Sequence, residues 1–465
     1  MNYIENKTFD EIKIGDTAEI SRTLSEKDIE LFAIMSGDIN PAQVDEEFAK
    51  SDHFHKIIAH GMWGGSLISA VLGTELPGPG TIYLKQSLNF KKPIGIGDTV
   101  FVRVTATEKN LKEKNVTFLC VITNQKNEEV ISGTAIVQAS LEKIRRPRVE
   151  LPRITLPKPG ELYAELISKI DKKNPLITGV IHPVDEVSLL GAIEAARENL
   201  IIPILIGPKD EIYTTANKLS VDISSYQLIS TSTSHESAEK GVFLAFQNKV
   251  QALMKGALHT DELMHAALNK EFSISTERRM SHAFVMEVPN YSRLLIVSDA
   301  ALNIYPTLDD KKDIIQNAIN LAKSIEISLP KVAILSAIET VSLKIKSTLD
   351  AAALCKMADR GQIKGGILDG PLAFDNAISK EAAKIKGICS PVAGEADIII
   401  VPDLESGNIL VKQLEYFSEA QSAGIVLGAK VPIILTSRAD QLMTRLASSA
   451  LASIIFNSKR ETEIS

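Results

Sequence analysis

Near the C-terminus the apolar run Val431-Pro432-Ile433-Ile434-Leu435 stops at Thr436-Ser437-Arg438-Ala439-Asp440 and opens into a helical pattern over 441–456. A β-branched run feeding a periodic helix delivers its turn to a helix N-terminus, where unpaired N–H groups and the macrodipole favour an anion. Arg438 adds a planar cation suited to two phosphate oxygens, and Ser437 a hydroxyl that donates or accepts. Ser437 followed three residues later by Asp440 is equally the pattern of a capping box, which needs no ligand. A second stretch, Gly37-Asp38-Ile39-Asn40-Pro41-Ala42-Gln43, sets a carboxylate just past a helix stop. Pro41 keeps Asn40 out of the helical region, so Asp38 is held either as an acid/base or as the start of an Asx-type turn. A third, Gly407-Asn408 before the helical pattern 409–420, is another helix-end anion site that a plain cap explains as well.

The elements that must position these residues fall into two rhythms. Before residue 143, Ser25 caps a helix carrying Ile29, Phe32 and Ala33 on one face and stopping at Gly37. The pattern 61–73 is apolar nearly all round and is expected to be buried on every side. Strand patterns at 82–90, 99–107, 116–123 and 130–137 follow, the middle two alternating as half-buried strands do. One buried helix wrapped by an antiparallel sheet is the hotdog architecture. Residues 143–160 hold four prolines and six basic residues, which favours an extended spacer. Beyond it, strand patterns at 177–182, 201–207, 226–230, 283–288, 293–298, 331–337, 363–369, 397–402 and 425–436 alternate with amphipathic helices. That rhythm predicts a parallel or largely parallel sheet with helices on both faces and ligands outside the carboxyl ends of its strands. Ser437, Asp369 and Asp299 all fall at such ends.

At 465 residues, 45% hydrophobic and 23% charged, the chain has room for two or three soluble domains. A net charge of -7 supplies no long-range attraction for nucleic acid or an anionic membrane, which points to small-molecule partners held by local donors. Cys120, Cys355 and Cys389 stand far apart with no CxxC or Cys/His ligand spacing, as core thiols in a reducing compartment do. The first residues show no apolar stretch behind a basic one, and no apolar run approaches the ~18 residues of a spanning helix. The expected location is the cytoplasm, and no metal site is expected.

The Ser-Arg-Ala-Asp turn belongs to a series of short motifs in order: Met254-Lys255-Gly256, Ser281-His282-Ala283, Ser298-Asp299-Ala300, Asp369-Gly370-Pro371-Leu372, Ala396-Asp397-Ile398, Pro402-Asp403-Leu404 and Gly407-Asn408. Over the last two-thirds of the chain this series resembles the phosphate acetyl/butyryltransferase family. The resemblance implies two α/β subdomains with the site in the cleft between them, and the reaction acyl-CoA plus phosphate to acyl phosphate plus CoA by direct attack, with no metal or redox cofactor. Within it Arg438 is read as binding phosphate and stabilising the oxyanion, Ser437 as hydrogen bonding the thiol or acyl phosphate, Asp440 as either the helix cap or a base, and Asn408 as either a substrate-binding residue or a plain cap. Two positions depart from the acetyltransferase branch: Thr444 stands where that branch has an Asp, and His265 where it has an Arg.

Asp38-Ile39-Asn40-Pro41, Ala59-His60-Gly61-Met62, Ser66-Leu67-Ile68-Ser69 and Leu76-Pro77-Gly78-Pro79-Gly80-Thr81 resemble the MaoC-like (R)-specific enoyl-CoA hydratases over residues 8–140. The resemblance implies that Asp38 is an acid/base, that the Gly61 N–H polarises the thioester carbonyl, that Ser66 supports Asp38, and that Asn40 belongs to the same substrate-binding set. The family's second acid/base, a His, is replaced by Gln43, whose amide can orient water but cannot exchange a proton near neutral pH. The expectation is an α+β hotdog domain (1–142), a basic Pro-rich linker (143–160) and an α/β two-subdomain phosphate acyltransferase fold (161–465). It acts on acyl-CoA, CoA and inorganic phosphate or acyl phosphate, and self-associates as hotdog domains do. The hotdog domain is read either as a hydratase or as a non-catalytic acyl-CoA binding or assembly module. A dehydrogenase of similar two-subdomain shape is disfavoured because no GxGxxG stands at a strand-to-helix turn.

Overall fold

The computed structural model describes residues 3–51, 55–149, 161–170, 172–269, 271–436 and 441–464. The chain divides into two compact units, Met1–Ile154 and Thr155–Ser465.

In the first unit the strands are β1 (Tyr3–Glu5), β2 (Thr17–Thr23), β3 (Ile82–Phe90), β4 (Thr99–Asn110), β5 (Asn115–Asn124), β6 (Glu129–Gln138) and β7 (Arg145–Pro147). Strands β2-β4-β5-β6-β3 form one antiparallel sheet, while β1 pairs with β7. The stretch expected as a spacer from 143 onward therefore starts as a paired strand, because the Tyr3–Glu5 backbone takes up its hydrogen bonds. Val100, Val102 and Val104 of β4 and Val116, Phe118, Cys120 and Ile122 of β5 are fully buried, and the residues between them are more exposed. That period-2 face is what the sequence alternation encodes.

The helix Gly61–Thr74 lies on this apolar face through Trp63, Gly64, Ile68, Val71 and Leu72. Its burial is one-sided, contrary to the expectation of burial all round. Met62 is 57% exposed, and Gly61, Ser66, Ser69 and Ala70 are open as well. The sheet supplies only one surface, so a helix without a polar face leaves its far side bare.

The second unit holds β8 (Leu176–Ile181), β9 (Ile201–Gly207), β10 (Gln227–Ser230), β11 (Ala252–Lys255), β12 (Ser281–Glu287), β13 (Leu295–Ser298), β14 (Lys331–Leu335), β15 (Ile367–Leu372), β16 (Ile398–Ile400), β17 (Gln421–Leu427) and β18 (Ile433–Ile434). They make one 11-stranded sheet in the order β10-β9-β8-β11-β18-β17-β12-β13-β16-β14-β15. Strands β10 to β18 in that order are mutually parallel, as are β13, β16, β14 and β15. Antiparallel pairings of β17 with β18 and β12, and of β12 with β13, join the two parallel blocks. The apolar run 425–436 is thus a hairpin rather than one strand. Gly428 turns it at φ 81°, and Lys430 and Pro432 complete the break.

Helices cover both faces. Leu189, Ala192 and Ile193 after β8, with Ile212 and Ala216 after β9, lie in one core together with Leu446, Ala447 and Leu451 of the last helix, Leu442–Ile464. Ala238 and Val242 after β10, with Leu263 and Ala266 after β11, lie in a second core. Among the described residues no helix is long and apolar enough to cross a membrane.

Candidate functional site

In the first unit the Asp38 loop is built by caps. Gly37 closes the helix Glu26–Ser36 at φ 73°, donating its N–H to the Ala33 carbonyl at 2.8 Å. Asn40 then caps the one-turn helix Pro41–Val44, its side-chain oxygen accepting the Ala42 N–H at 3.2 Å. Asp38 is exposed, and one carboxylate oxygen accepts the Asn40 N–H at 3.3 Å. Asn40 thus serves as a cap, and Asp38 starts an Asx-type turn while its carboxylate stays exposed.

The loop is fastened to the buried helix by a residue that sequence reasoning treated as merely structural. His60, 2% exposed, precedes Gly61 and donates from Nε2 to the Asp38 carbonyl at 2.9 Å. A carbonyl only accepts, so Nε2 carries the proton of this bond. The His60 Nδ1 and the Gln43 Oε1 are both buried with no hydrogen-bond partner among the described residues. Gly61 opens the helix Gly61–Thr74, and its N–H has no intrahelical acceptor. Ser66 donates from Oγ to the Trp63 carbonyl at 2.6 Å, which ties it to its own helix rather than to Asp38.

In the second unit Ser437, Arg438 and Asp440 lie outside the described residues. On one side of them β18 ends and Thr436 is buried; on the other the helix Leu442–Ile464 begins. The Ser448 hydroxyl of that helix accepts the Gly424 N–H at 2.9 Å, which seats the helix on β17. Gly424 also leaves room for the fully buried His282 ring: a Cβ there would lie 3.0 Å from Nε2. His282 Nε2 reaches the Leu435 carbonyl at 3.4 Å, two residues ahead of Ser437. Burial pushes its pKa below the usual histidine range against the opposing charge of Asp299, so the ring is neutral.

Asp299, directly after β13, accepts the N–H groups of Ala301, Leu302 and Asn303 at 2.9, 3.0 and 3.2 Å. It is a loop hub at a strand end. Asn408 departs from expectation, because its helix begins at Leu404 with Asp403 as the N-cap. Asn408 is a full turn inside that helix, and its amide donates to the Ala300 carbonyl at 3.4 Å. The adjacent Gly407 is where helix and loop meet, a Cβ there falling 2.9 Å from the Asp299 carbonyl oxygen. Asp369 sits within β15, where its carboxylate accepts the Gly370 N–H.

Lys255 and His282 were noticed in the sequence only as motif letters. The available signal was a titratable residue inside an otherwise apolar strand: Lys255 ends β11 at 6% exposure and His282 sits in β12 at 0%. Among the described residues no group of His, Cys, Asp and Glu side chains is arranged to hold a metal ion.

Comparison with known proteins matches the two units to two families. The Phosphate acetyl/butaryl transferase family model matches residues 229–453, and the MaoC like domain model matches 11–127. A phosphate acetyltransferase of Rickettsia prowazekii is 52% identical over 336 residues, which is 71% of this chain and 96% of that protein. A phosphate butyryltransferase of Clostridium acetobutylicum is 40% identical over 64% of this chain and 99% of its own length. The crystal structure of a branched-chain phosphotransacylase from Enterococcus faecalis superposes with a TM-score of 0.53 at 28% identity, covering 60% of this chain and 99% of that one.

Proposed function

The chain belongs to the phosphate acetyl/butyryltransferase family and carries a MaoC-like domain in its N-terminal part, and from that premise we propose that it transfers an acyl group between coenzyme A and inorganic phosphate. The observation that carries this reading is identity of 52% along 96% of a phosphate acetyltransferase. Phosphate attacks the thioester carbonyl; the C–S bond breaks, CoA leaves as the thiol, and the acyl group stays on phosphate oxygen. Binding two anions and a developing oxyanion calls for local cations and N–H donors in a chain of net charge -7. Arg438 is assigned to phosphate and the oxyanion, Ser437 to the thiol or acyl phosphate, and Asp440 to the thiol proton. In the test, purified protein releases CoA from acetyl- or butyryl-CoA when phosphate is added, and Arg438→Ala lowers that rate by about 10²–10³. Release that does not depend on phosphate sinks the reading.

For the N-terminal unit we propose a weak enoyl-CoA hydratase, cytoplasmic with the rest of the chain. Asp38 serves as its single acid/base, the Gly61 N–H as carbonyl donor, and Gln43 as a water-orienting amide. Support comes from the MaoC match and from Gln43 Oε1 and His60 Nδ1, both buried with no hydrogen-bond partner among the described residues. Crotonyl-CoA hydration that survives Asp38→Ala unchanged removes Asp38 as the acid/base, and its absence from the wild type turns the domain into a binding module.

A further inference from the structure

The carboxylate and the carbonyl donor of the N-terminal unit stand on different elements. Asp38 lies in the turn behind the helix Glu26–Ser36, and Gly61 opens the helix Gly61–Thr74. Hydration of an enoyl thioester needs both groups in one transition state. Asp38 takes a proton from water as the water oxygen bonds to the β-carbon, and returns a proton to the α-carbon. Between these transfers negative charge gathers on the thioester oxygen, where the Gly61 N–H receives it. The rate therefore depends on how closely the distance between the two groups is held.

The Asp38 loop has little of its own with which to hold that distance. Ile39 and Val44 are 74% and 45% exposed, and the short helix Pro41–Val44 buries no residue. Among the described residues, the hydrogen bonds of residues 37–44 run to one another or to their close chain neighbours, with a single exception. The Gly37 N–H donates to the Ala33 carbonyl at 2.8 Å, the Asp38 N–H to Ser36 Oγ at 3.2 Å, and the Gln43 N–H to the Asn40 carbonyl at 2.9 Å. The exception is the His60 ring, 22 residues away in sequence, whose Nε2 donates to the Asp38 carbonyl at 2.9 Å.

His60 is built into the core. It is 2% exposed, its ring centroid lies 5.1 Å from that of Phe32, and its carbonyl accepts the Trp63 N–H at 2.9 Å. The N–H of the preceding Ala59 donates to the Ile94 carbonyl at 2.8 Å. Phe32 belongs to the helix that ends at Ser36, and its carbonyl accepts the Ser36 hydroxyl at 2.6 Å. The imidazole thus joins the loop that carries one functional group to the helix start that carries the other. We infer that His60 is the positioning residue of this site: through the Asp38 carbonyl it sets the separation between the Asp38 carboxylate and the Gly61 N–H. The inference rests on the hydratase reading and adds to it a residue that acts through Asp38.

The test compares the full chain with His60→Leu, which removes the donor and keeps apolar bulk, and with His60→Gln, whose amide nitrogen can take the place of Nε2. His60→Leu is expected to lower kcat for crotonyl-CoA hydration by about 10–10²-fold with KM held within about twofold, as misplacement of a catalytic group by about 1 Å implies. His60→Gln restores the bond to the Asp38 carbonyl and is expected to return kcat to within about threefold of the wild type. Backbone amide exchange over residues 37–44 quickens in His60→Leu and not in His60→Gln. A kcat within about twofold of wild type in a folded His60→Leu chain overturns the assignment, and so does a loss that a folded His60→Gln chain fails to recover. If His60→Leu does not fold, His60→Asn takes its place with the same expected loss, because its shorter amide leaves the Asp38 carbonyl out of reach. A wild type that hydrates no crotonyl-CoA refutes the hydratase reading instead. Amide exchange over residues 37–44 then judges His60 separately as the holder of the loop, and exchange that His60→Leu leaves unchanged overturns it.

Discussion

Gln43, read as standing where the hydratase pattern has a His, can be reversed. Its Oε1 is already buried with no hydrogen-bond partner among the described residues. An imidazole there restores a group that can exchange a proton at neutral pH. Gln43→His is therefore expected to raise crotonyl-CoA hydration by about 10–10²-fold, within the range a positioned general acid/base contributes. The Asp38→Ala, Gln43→His double variant should fall back to background, and activity that Gln43→His leaves unchanged counts against Asp38 and residue 43 working as a pair. His282 makes a different claim, about pH. Its folded pKa is lowered by burial, so the unfolded chain takes up this proton first as pH falls. The stability it contributes is complete above the ordinary histidine value of about 6.5 and declines as pH drops through it, by at most about 1.4 kcal/mol per pH unit. His282→Gln keeps a donor for the Leu435 carbonyl without a titrating ring. Its unfolding midpoint should lose less than that of the wild type between pH 7 and pH 5; equal losses in both proteins remove His282 as the cause.

At the scale of elements, the helices Leu308–Ser324 and Lys346–Asp359 are joined by a buried ion pair, Lys311 to Asp350 at 2.8 Å, with side chains 6% and 10% exposed. Removing one partner strands a charge away from water, so Asp350→Ala should cost about 3–5 kcal/mol in denaturant unfolding. Replacing both with apolar residues, Lys311→Met and Asp350→Leu, should recover most of it. A double variant no more stable than Asp350→Ala shows that the cost lay in packing and not in charge. The elements themselves were legible where one physical rule governs them. The strand read at 82–90 is β3 residue for residue, and β4 to β6 differ from their expected spans by a few residues at the ends; in β4 and β5 the half-buried alternation is written directly in the side chains. Strand direction is not so written. Nothing in the apolar run 425–436 distinguishes a hairpin from a single strand until the turn at Gly428 is seen, and the antiparallel centre of the large sheet was missed with it. Among the described residues four strands were not read at all: β1 and β7, three residues each, β11, four residues long, and β2, whose Thr-Ala-Glu-Ile-Ser-Arg-Thr faces water at most positions. The same limit applied to sites. Asn408 was read as a helix end because the helical pattern was taken to begin at residue 409, whereas the helix runs from Leu404 straight through Gly407, which lies close to the Asp299 carbonyl.

At the scale of the whole molecule, the two units have separate cores, one running from Phe9 to Ala139 and the others lying beyond Leu162. A chain built this way should yield an N-terminal fragment, residues 1–154, that folds alone. The surface of that unit says how it should behave in solution. Its sheet has two edges, β2 and β3. Strand β2 carries Glu19 and Arg22 and is blunted by charge in the manner of edges that stay free. Strand β3 does the opposite: Ile82, Tyr83, Leu84 and Phe90 are 57%, 38%, 52% and 54% exposed on an edge that pairs only with β6. With Met62 on the bare side of the Gly61–Thr74 helix, this unit holds several large apolar side chains open to water. The fragment is therefore expected to sediment as a dimer, and a charge placed on the open edge, Leu84→Lys, should shift it to the monomer without lowering its strand content. A wild-type fragment that sediments as a monomer at micromolar concentration would overturn this expectation.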